Sequence, residues 1–193
     1  MLVTCYWFLV GDFEVGFLNI PNTLTIARII LIPVFVTAII YKRYNYALYL
    51  FIIAAITDIF DGLLARLRNQ RTELGTFLDP LADKFLIVTS FIILATFGWI
   101  PKWLAITVIS RDTIVIIGWL LLYLVIGTAK VEPSILGKTT IWAQSIFIAY
   151  VLIVMNFHFL QGIYPVLQWL TAGFTIISGL HYIYIGLKLT HAI

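Results

Sequence analysis

Asp58 and Asp61 stand three residues apart in Asp58-Ile-Phe-Asp61-Gly62-Leu-Leu-Ala65-Arg66, and Asp79 and Asp83 stand four apart in Gly75-Thr-Phe-Leu-Asp79-Pro-Leu-Ala-Asp83. Both segments lie in an otherwise apolar chain. Carboxylates in such surroundings persist when they are paired or metal-bound. On helices, spacings of three and four put each pair on one face. A short connection between the two helices predicts antiparallel neighbours, with the carboxylate pairs facing one another at one depth. Four negative groups that close repel strongly where the dielectric is low, so protons or metal ions must neutralise them. An all-oxygen set with no nearby Cys or His suits hard cations, Mg²⁺, Mn²⁺ or Ca²⁺. Four carboxylates on two helices fit a two-metal cluster of the kind that serves displacement at phosphorus.

The residues between the acids fit the same chemistry. Gly62 and Gly75 are poor helix formers, and they clear side chains from beside the acids so that a bulky ligand can approach the backbone. Ala65 is small as well, and Arg66 supplies a cation suited to a phosphate or nucleotide oxygen. Taken singly, these features have plainer readings: an Asp pair can be a proton relay or an ion site in a transporter, and a lone Gly can simply pack a helix. Eight positions in one frame point to one chemical purpose.

The elements that must carry this frame follow from composition. The chain has 193 residues, 62% of them hydrophobic and 11% charged. A soluble domain carries roughly a quarter charged residues, so the chain reads as an all-α integral membrane protein. Charges and prolines punctuate six expected transmembrane helices, at 23–43, 46–66, 79–98, 102–126, 136–156 and 164–188. Each is near the length of about 20 residues that hydrocarbon thickness demands. Pro21, Pro80, Pro101, Pro133 and Pro165 mark joints, and Pro33 predicts a kink inside the first span. Residues 139–187 contain no Asp, Glu, Lys or Arg, and the break is placed at Asn156–Gly162. Residues 1–18 carry Trp7, Phe8, Phe13 and Phe17 beside Asp12 and Glu14, which predicts a segment lying in the membrane interface ahead of a membrane domain over 19–193.

Loop charges give the orientation. With the N-terminus inside, the inner side receives Arg66, Arg68, Arg71, Lys130, Lys138 and Lys188, and the outer side Lys42, Arg43 and Lys102. That asymmetry predicts cytoplasmic N- and C-termini in a multi-pass inner-membrane protein. The single Cys5 excludes an internal disulfide and a Cys-rich metal site. His158, His181 and His191 share no ligand spacing with any acid. Ser90, Thr96, Thr107, Thr113 and Thr175 read as ordinary helix-packing polar residues. The chain has no Ser-His-Asp set, no Gly-rich phosphate loop and no nucleic-acid patch.

Asp58, Asp61, Gly62, Ala65, Arg66, Gly75, Asp79 and Asp83 fill every position of the pattern D-x2-D-G-x2-A-R-x8-G-x3-D-x3-D. In this the chain resembles the CDP-alcohol phosphatidyltransferases, over about residues 19–190. The resemblance implies six transmembrane helices and two divalent ions, Mg²⁺ or Mn²⁺, ligated by Asp58, Asp61 and Asp79, with Asp83 also near them. It implies that Asp83 is the base that takes the acceptor's hydroxyl proton. Gly62, Ala65, Arg66 and Gly75 would wall the cytidine nucleotide. The acceptor oxygen would bond to the β-phosphorus of CDP-diacylglycerol while the bond to CMP breaks. A homodimer is also implied, working within membrane lipid.

Basic residues outside the frame are expected to choose the acceptor. Arg111 lies mid-span beside Asp112, Lys138 opens the fifth span, and Arg28 sits in the first. Each is costly unless it meets a cavity or a counter-ion, and an acceptor phosphate would supply one. The alternatives are a buried salt bridge for Arg111, to Asp112 or to an acid of the frame, and snorkelling for Arg28 and Lys138. The segments from Asn19 to Arg28 and from Thr72 to Lys84 are similar to the bacterial phosphatidylglycerophosphate synthase branch, whose acceptor is sn-glycerol 3-phosphate. Ser110-Arg111-Asp112 is also similar to cardiolipin synthases of the CDP-alcohol type, whose acceptor is phosphatidylglycerol. A small cation transporter that uses the acid cluster is the rival from another class. It predicts matching halves with broken helices, which the sequence does not show.

Overall fold

Long apolar runs leave the backbone no water to bond to, and a helix satisfies its own amides within each segment. The computed structural model describes residues 20–68, 73–126, 135–157 and 161–190, and every regular element among them is helical. Helix α1 is Ile20–Ile40, α2 Tyr44–Arg68, α3 Glu73–Thr96, α4 Lys102–Ile126, α5 Ile135–Phe157 and α6 Tyr164–Thr190, with a 3-10 turn at Gln161–Ile163. Side chains between Asp58 and Asp83 are outside the described set, and so is the whole segment 1–18 expected at the interface.

Helix α4 occupies its expected bounds, and α5 and α6 match theirs to within two residues at each end. Helices α1 and α3 differ more: α1 begins at Ile20 rather than 23, and α3 spans Glu73–Thr96 rather than 79–98. Helix α1 stops at Ile40 rather than 43, because the chain turns left-handed at Lys42 (φ 56°). There Arg43 N–H bonds Ala38 O at 2.8 Å and Lys42 N–H bonds Ile39 O at 2.9 Å. This is the paired 6→1 and 5→2 closure of a Schellman cap. Gly98 (φ 77°) closes α3 in the same way, with Trp99 N–H on Leu94 O at 2.9 Å. The other correction is Pro80, expected at the start of the third span. Helix α3 begins at Glu73, so Pro80 lies inside it. A proline costs an interior helix one hydrogen bond, which flanking turns can absorb. Helix α1 likewise runs on through Pro33.

The helices fall into two compact units, one ending at Thr89 and the other beginning at Ser90. In the first, α1 packs on α2 and Phe35 meets Phe51 at 6.2 Å. In the second, α4 and α5 both pack on α6. Its core holds Phe91 stacked on Phe147 at 6.2 Å, with Leu94, Leu104, Val108 and Leu152 fully buried. Tyr164 opens α6 and donates its hydroxyl to Trp99 O at 2.9 Å, which ties that end of α6 to the turn after α3.

Outward faces are as apolar as the core: Trp142, Ile146, Trp169, Leu180 and Tyr184 are each more than half exposed. Helices α5 and α6 are long and apolar enough to cross a membrane, and α1, α2 and α3 contribute the shorter apolar stretches Ile26–Ile40, Tyr44–Thr57 and Lys84–Thr96. Threonines on open faces bond back to their own helix. Thr37 donates to Pro33 O at 2.7 Å, Thr96 to Ile92 O at 2.8 Å and Thr113 to Ile109 O at 2.8 Å. They therefore need no partner helix, contrary to the packing role expected for Thr96 and Thr113.

An L-residue in the left-handed region carries a steric cost that glycine lacks. Lys42→Gly should therefore stabilise the protein by about 0.5–1 kcal/mol, after subtracting glycine's greater backbone entropy. A rise in thermal midpoint in detergent checks this, and an unchanged or lower midpoint rejects it.

Candidate active site

The acid frame lies on two helices that are consecutive in the chain. Asp58, Asp61, Gly62, Ala65 and Arg66 lie on the last turns of α2, and Gly75, Asp79 and Asp83 on the first turns of α3. Only residues 69–72 separate the helices in sequence. Asp58 and Asp61 share one helical face, as do Asp79 and Asp83. The placement of these eight side chains, and hence the expected meeting of the two carboxylate pairs, lies outside the described residues. Among the described residues no three acidic, His or Cys side chains group together. The donor set itself fits hard divalent cations: four carboxylates, with the nearest thiol at Cys5 and the nearest imidazole at His158.

The described side chains resolve a second polar centre, around Arg111. It sits mid-way along α4 and is 6% exposed. Its Nη1 donates to Asp112 Oδ1 at 2.6 Å, and its Nη2 donates to Ser178 Oγ on α6 at 2.7 Å. The guanidinium carbon lies 5.5 Å from the centroid of the Tyr182 ring, within cation–π range. The ion-pair alternative for Arg111 is thus present, with Asp112 as partner. It does not exhaust the guanidinium, which has five N–H donors. Arg111 Nε is buried and finds no acceptor among the described residues. A buried donor left without an acceptor costs about 1–3 kcal/mol, which a ligand oxygen would recover.

Ser178 and Tyr182 escaped the sequence reading, although a signal existed. Thr171, Thr175, Ser178 and Tyr182 recur at spacings of four, three and four, which is one face of α6. Thr171, Thr175 and Ser178 are all at most 2% exposed. Facing them on α5 are Thr140 and Gln144, also buried. Gln144 Nε2 donates to Thr175 Oγ1 at 3.2 Å, and the Thr140 hydroxyl reaches Phe174 O at 3.1 Å. Thr175 is thus the interhelical polar contact that was expected of it. The stripe was hidden because Ser and Thr carry no charge and break no hydrophobic run.

The other two acceptor candidates differ from Arg111 and from each other. Lys138 is exposed on α5, and no hydrogen bond or ion pair joins it to Arg111 among the described residues. Its exposure matches the snorkelling alternative. Arg28 is 1% exposed on α1, so it does not snorkel.

Helices of this composition, with the complete acid frame across the α2–α3 junction, are those of a CDP-alcohol phosphatidyltransferase; the model of that family matches residues 18–177, and the chain belongs to it. It is an enzyme, a CDP-diacylglycerol-dependent phosphatidyltransferase, which decides against the transporter alternative. Among its relatives is the CDP-diacylglycerol–glycerol-3-phosphate 3-phosphatidyltransferase of Bacillus subtilis, 36% identical over 183 residues, covering 85% of this chain and 93% of the relative. The Salmonella paratyphi A protein of the same name is 38% identical over 143 residues, or 69% of this chain and 76% of the relative. The cardiolipin synthase (CMP-forming) of Homo sapiens is 35% identical over 192 residues, which is 91% of this chain and 64% of the human protein.

Removing one member of a buried ion pair strands the other charge, at about 3–5 kcal/mol. Asp112→Ala should therefore lower unfolding free energy by about 3 kcal/mol or more, whereas Lys138→Ala should stay within roughly 0.5 kcal/mol of the parent. Denaturant titration in detergent compares the two; equal, small effects would contradict the buried-pair assignment.

Proposed function

We propose that the enzyme transfers the phosphatidyl group of CDP-diacylglycerol to the hydroxyl of sn-glycerol 3-phosphate, giving phosphatidylglycerophosphate and CMP. The observation that carries this reading is the full acid frame on consecutive helices, together with relatives of that activity that match most of the chain. Asp58, Asp61, Asp79 and Asp83 hold two Mg²⁺ or Mn²⁺ ions. When bound, such ions polarise phosphoryl oxygens and offset charge that builds on a leaving group. Gly62, Ala65 and Gly75 leave room for the cytidine nucleotide, and Arg66 binds one of its anionic oxygens. Asp83 accepts the acceptor's hydroxyl proton as the new O–P bond forms and the bond to CMP breaks. Arg111 binds the acceptor phosphate. The unpartnered Arg111 Nε supports this role, because it offers a phosphate oxygen a buried, charged donor.

The membrane placement follows from the same chemistry. Six spanning helices, with N- and C-termini in the cytoplasm, put the acid frame at the inner leaflet of the cell membrane. A substrate with acyl chains in lipid and its nucleotide in water requires a site at that boundary. Helices of 23 and 27 residues, α5 and α6, are about 35–40 Å long, enough to cross with some tilt. A homodimer within the membrane completes the proposal. A second acceptor is favoured by one observation, that the human cardiolipin synthase matches 91% of this chain, and the resemblance of Ser110-Arg111-Asp112 to that branch agrees with it. In that case the acceptor is phosphatidylglycerol, whose phosphodiester also offers oxygens to Arg111.

Purified protein should release CMP from CDP-diacylglycerol only with Mg²⁺ or Mn²⁺ and an acceptor, and product chromatography names the acceptor. Asp83→Asn should lower kcat by about 10²–10⁴-fold. Arg111→Ala should raise the acceptor KM by about 10- to 100-fold, the loss of one charged hydrogen bond, and barely move the KM for CDP-diacylglycerol. Metal-independent turnover would sink the first claim, and equal rises in both KM values the last.

A further inference from the structure

We infer that Gly179 and Ser178 are positioning residues for the acceptor: they fix where the Arg111 guanidinium lies, and so set the enzyme's affinity for the acceptor phosphate. The inference rests on the reading that Arg111 binds that phosphate. It goes beyond it by assigning a role to a glycine and a serine outside the acid frame.

A Cβ built on Gly179 would lie 3.3 Å from Arg111 Cγ and 3.8 Å from its Cβ. The stem of Arg111 therefore lies against the bare backbone of α6 at this position. An alanine there would press on the stem, closer than an ordinary methyl contact. At Gly173 and Gly186 on the same helix, an added Cβ meets nothing within 4 Å. Among these glycines of α6, only at Gly179 does the missing Cβ make room for a side chain of another helix.

Beyond the stem, the head group is held on three sides. Ser178 takes Nη2 at 2.7 Å, Asp112 takes Nη1 at 2.6 Å, and the Tyr182 ring lies 5.5 Å from the guanidinium carbon. Ser178 is fully buried, so its oxygen has no water to exchange for this contact. With the head pinned, pressure on Cγ cannot be relieved by a swing of the whole side chain. It must be taken up by rotating the head away from Ser178 or by shifting α6. Either change moves Nε, the donor left without an acceptor among the described residues. Small misplacements of a binding group are expensive, because the ordering of the ligand has been arranged in advance.

The test uses the full-length enzyme in detergent, with sn-glycerol 3-phosphate and phosphatidylglycerol each tried as acceptor and kinetics followed on the one that supports CMP release. Gly179→Ala should raise the acceptor KM by about 3- to 30-fold, with the KM for CDP-diacylglycerol within about twofold. Gly173→Ala, the same change on open space, should leave both constants alone. Ser178→Ala should also raise the acceptor KM, and Ser178→Thr, which keeps the hydroxyl, should restore it. Added to Ser178→Ala, Gly179→Ala should cost less than it does alone, because an unpinned head can slide. If Arg111→Ala raises the acceptor KM but Gly179→Ala and Ser178→Ala do not, the positioning role is wrong and the parent reading survives. If Arg111→Ala leaves the acceptor KM unmoved, both fall. Equal rises in the two KM values with a lower melting temperature would mean general damage and would likewise overturn the inference.

Discussion

A charge taken out of water must be answered by another charge, a metal or a set of dipoles, and that requirement organises this protein at both of its polar centres. At Arg111 the answer is on view. Asp112 neutralises the guanidinium, Ser178 accepts one of its protons, and the Tyr182 ring lies within cation–π range. The pair is buried on both sides, with side-chain exposures of 6% and 10%. Such pairs seldom repay their own desolvation. A purely structural role would be served as well by apolar side chains of similar volume. The retention of a cation here is more readily explained by what it can bind than by what it holds together.

The same requirement governs the acid frame with the opposite sign. Were its four carboxylates to meet as proposed, they could not all stay ionised without cations. Bound cations would then serve two ends at once: they stabilise the helices' acids, and they prepare a site for a diphosphate. On that reading folding and catalysis would be coupled, since a ligand that binds the folded protein stabilises it. Relatives that act on CDP-diacylglycerol match this chain across the frame, in keeping with that economy.

What could be read from residue types was whatever charge, proline or hydrophobic run made visible. The bounds of α4 are marked by Pro101 and a run of apolar residues, and they stand as expected. The frame was legible because four acids in an apolar chain are conspicuous. The early end of α1 was not, because a left-handed cap at Lys42 uses a residue with no propensity for that turn. Pro80 misled for the opposite reason: its strong local preference was overridden by the turns on either side. The polar stripe of α6 was missed because its members are small and uncharged; their significance comes from what α4 and α5 bring against them. The role of Gly179 lay beyond any reading of composition. It depends on the course of one long side chain from another helix, over 60 residues away in sequence.

That last point bears on how acceptor choice can differ among relatives that share one acid frame. On the proposed reading, the frame holds the metal ions and the cytidylyl donor. The acceptor must be chosen elsewhere, by groups free to vary without disturbing the metals. Helix α6 suits that task. It takes contacts from both α4 and α5 through one polar face, so a change of a single small residue on that face can redirect a cation on α4 and leave the helix itself intact. Glycine and serine alter little apolar area when exchanged, so the stability cost of such a change is small, while a phosphate's binding depends on where one N–H points. A helix that holds its neighbours through small polar residues thus offers a route to new acceptors at little risk to the fold.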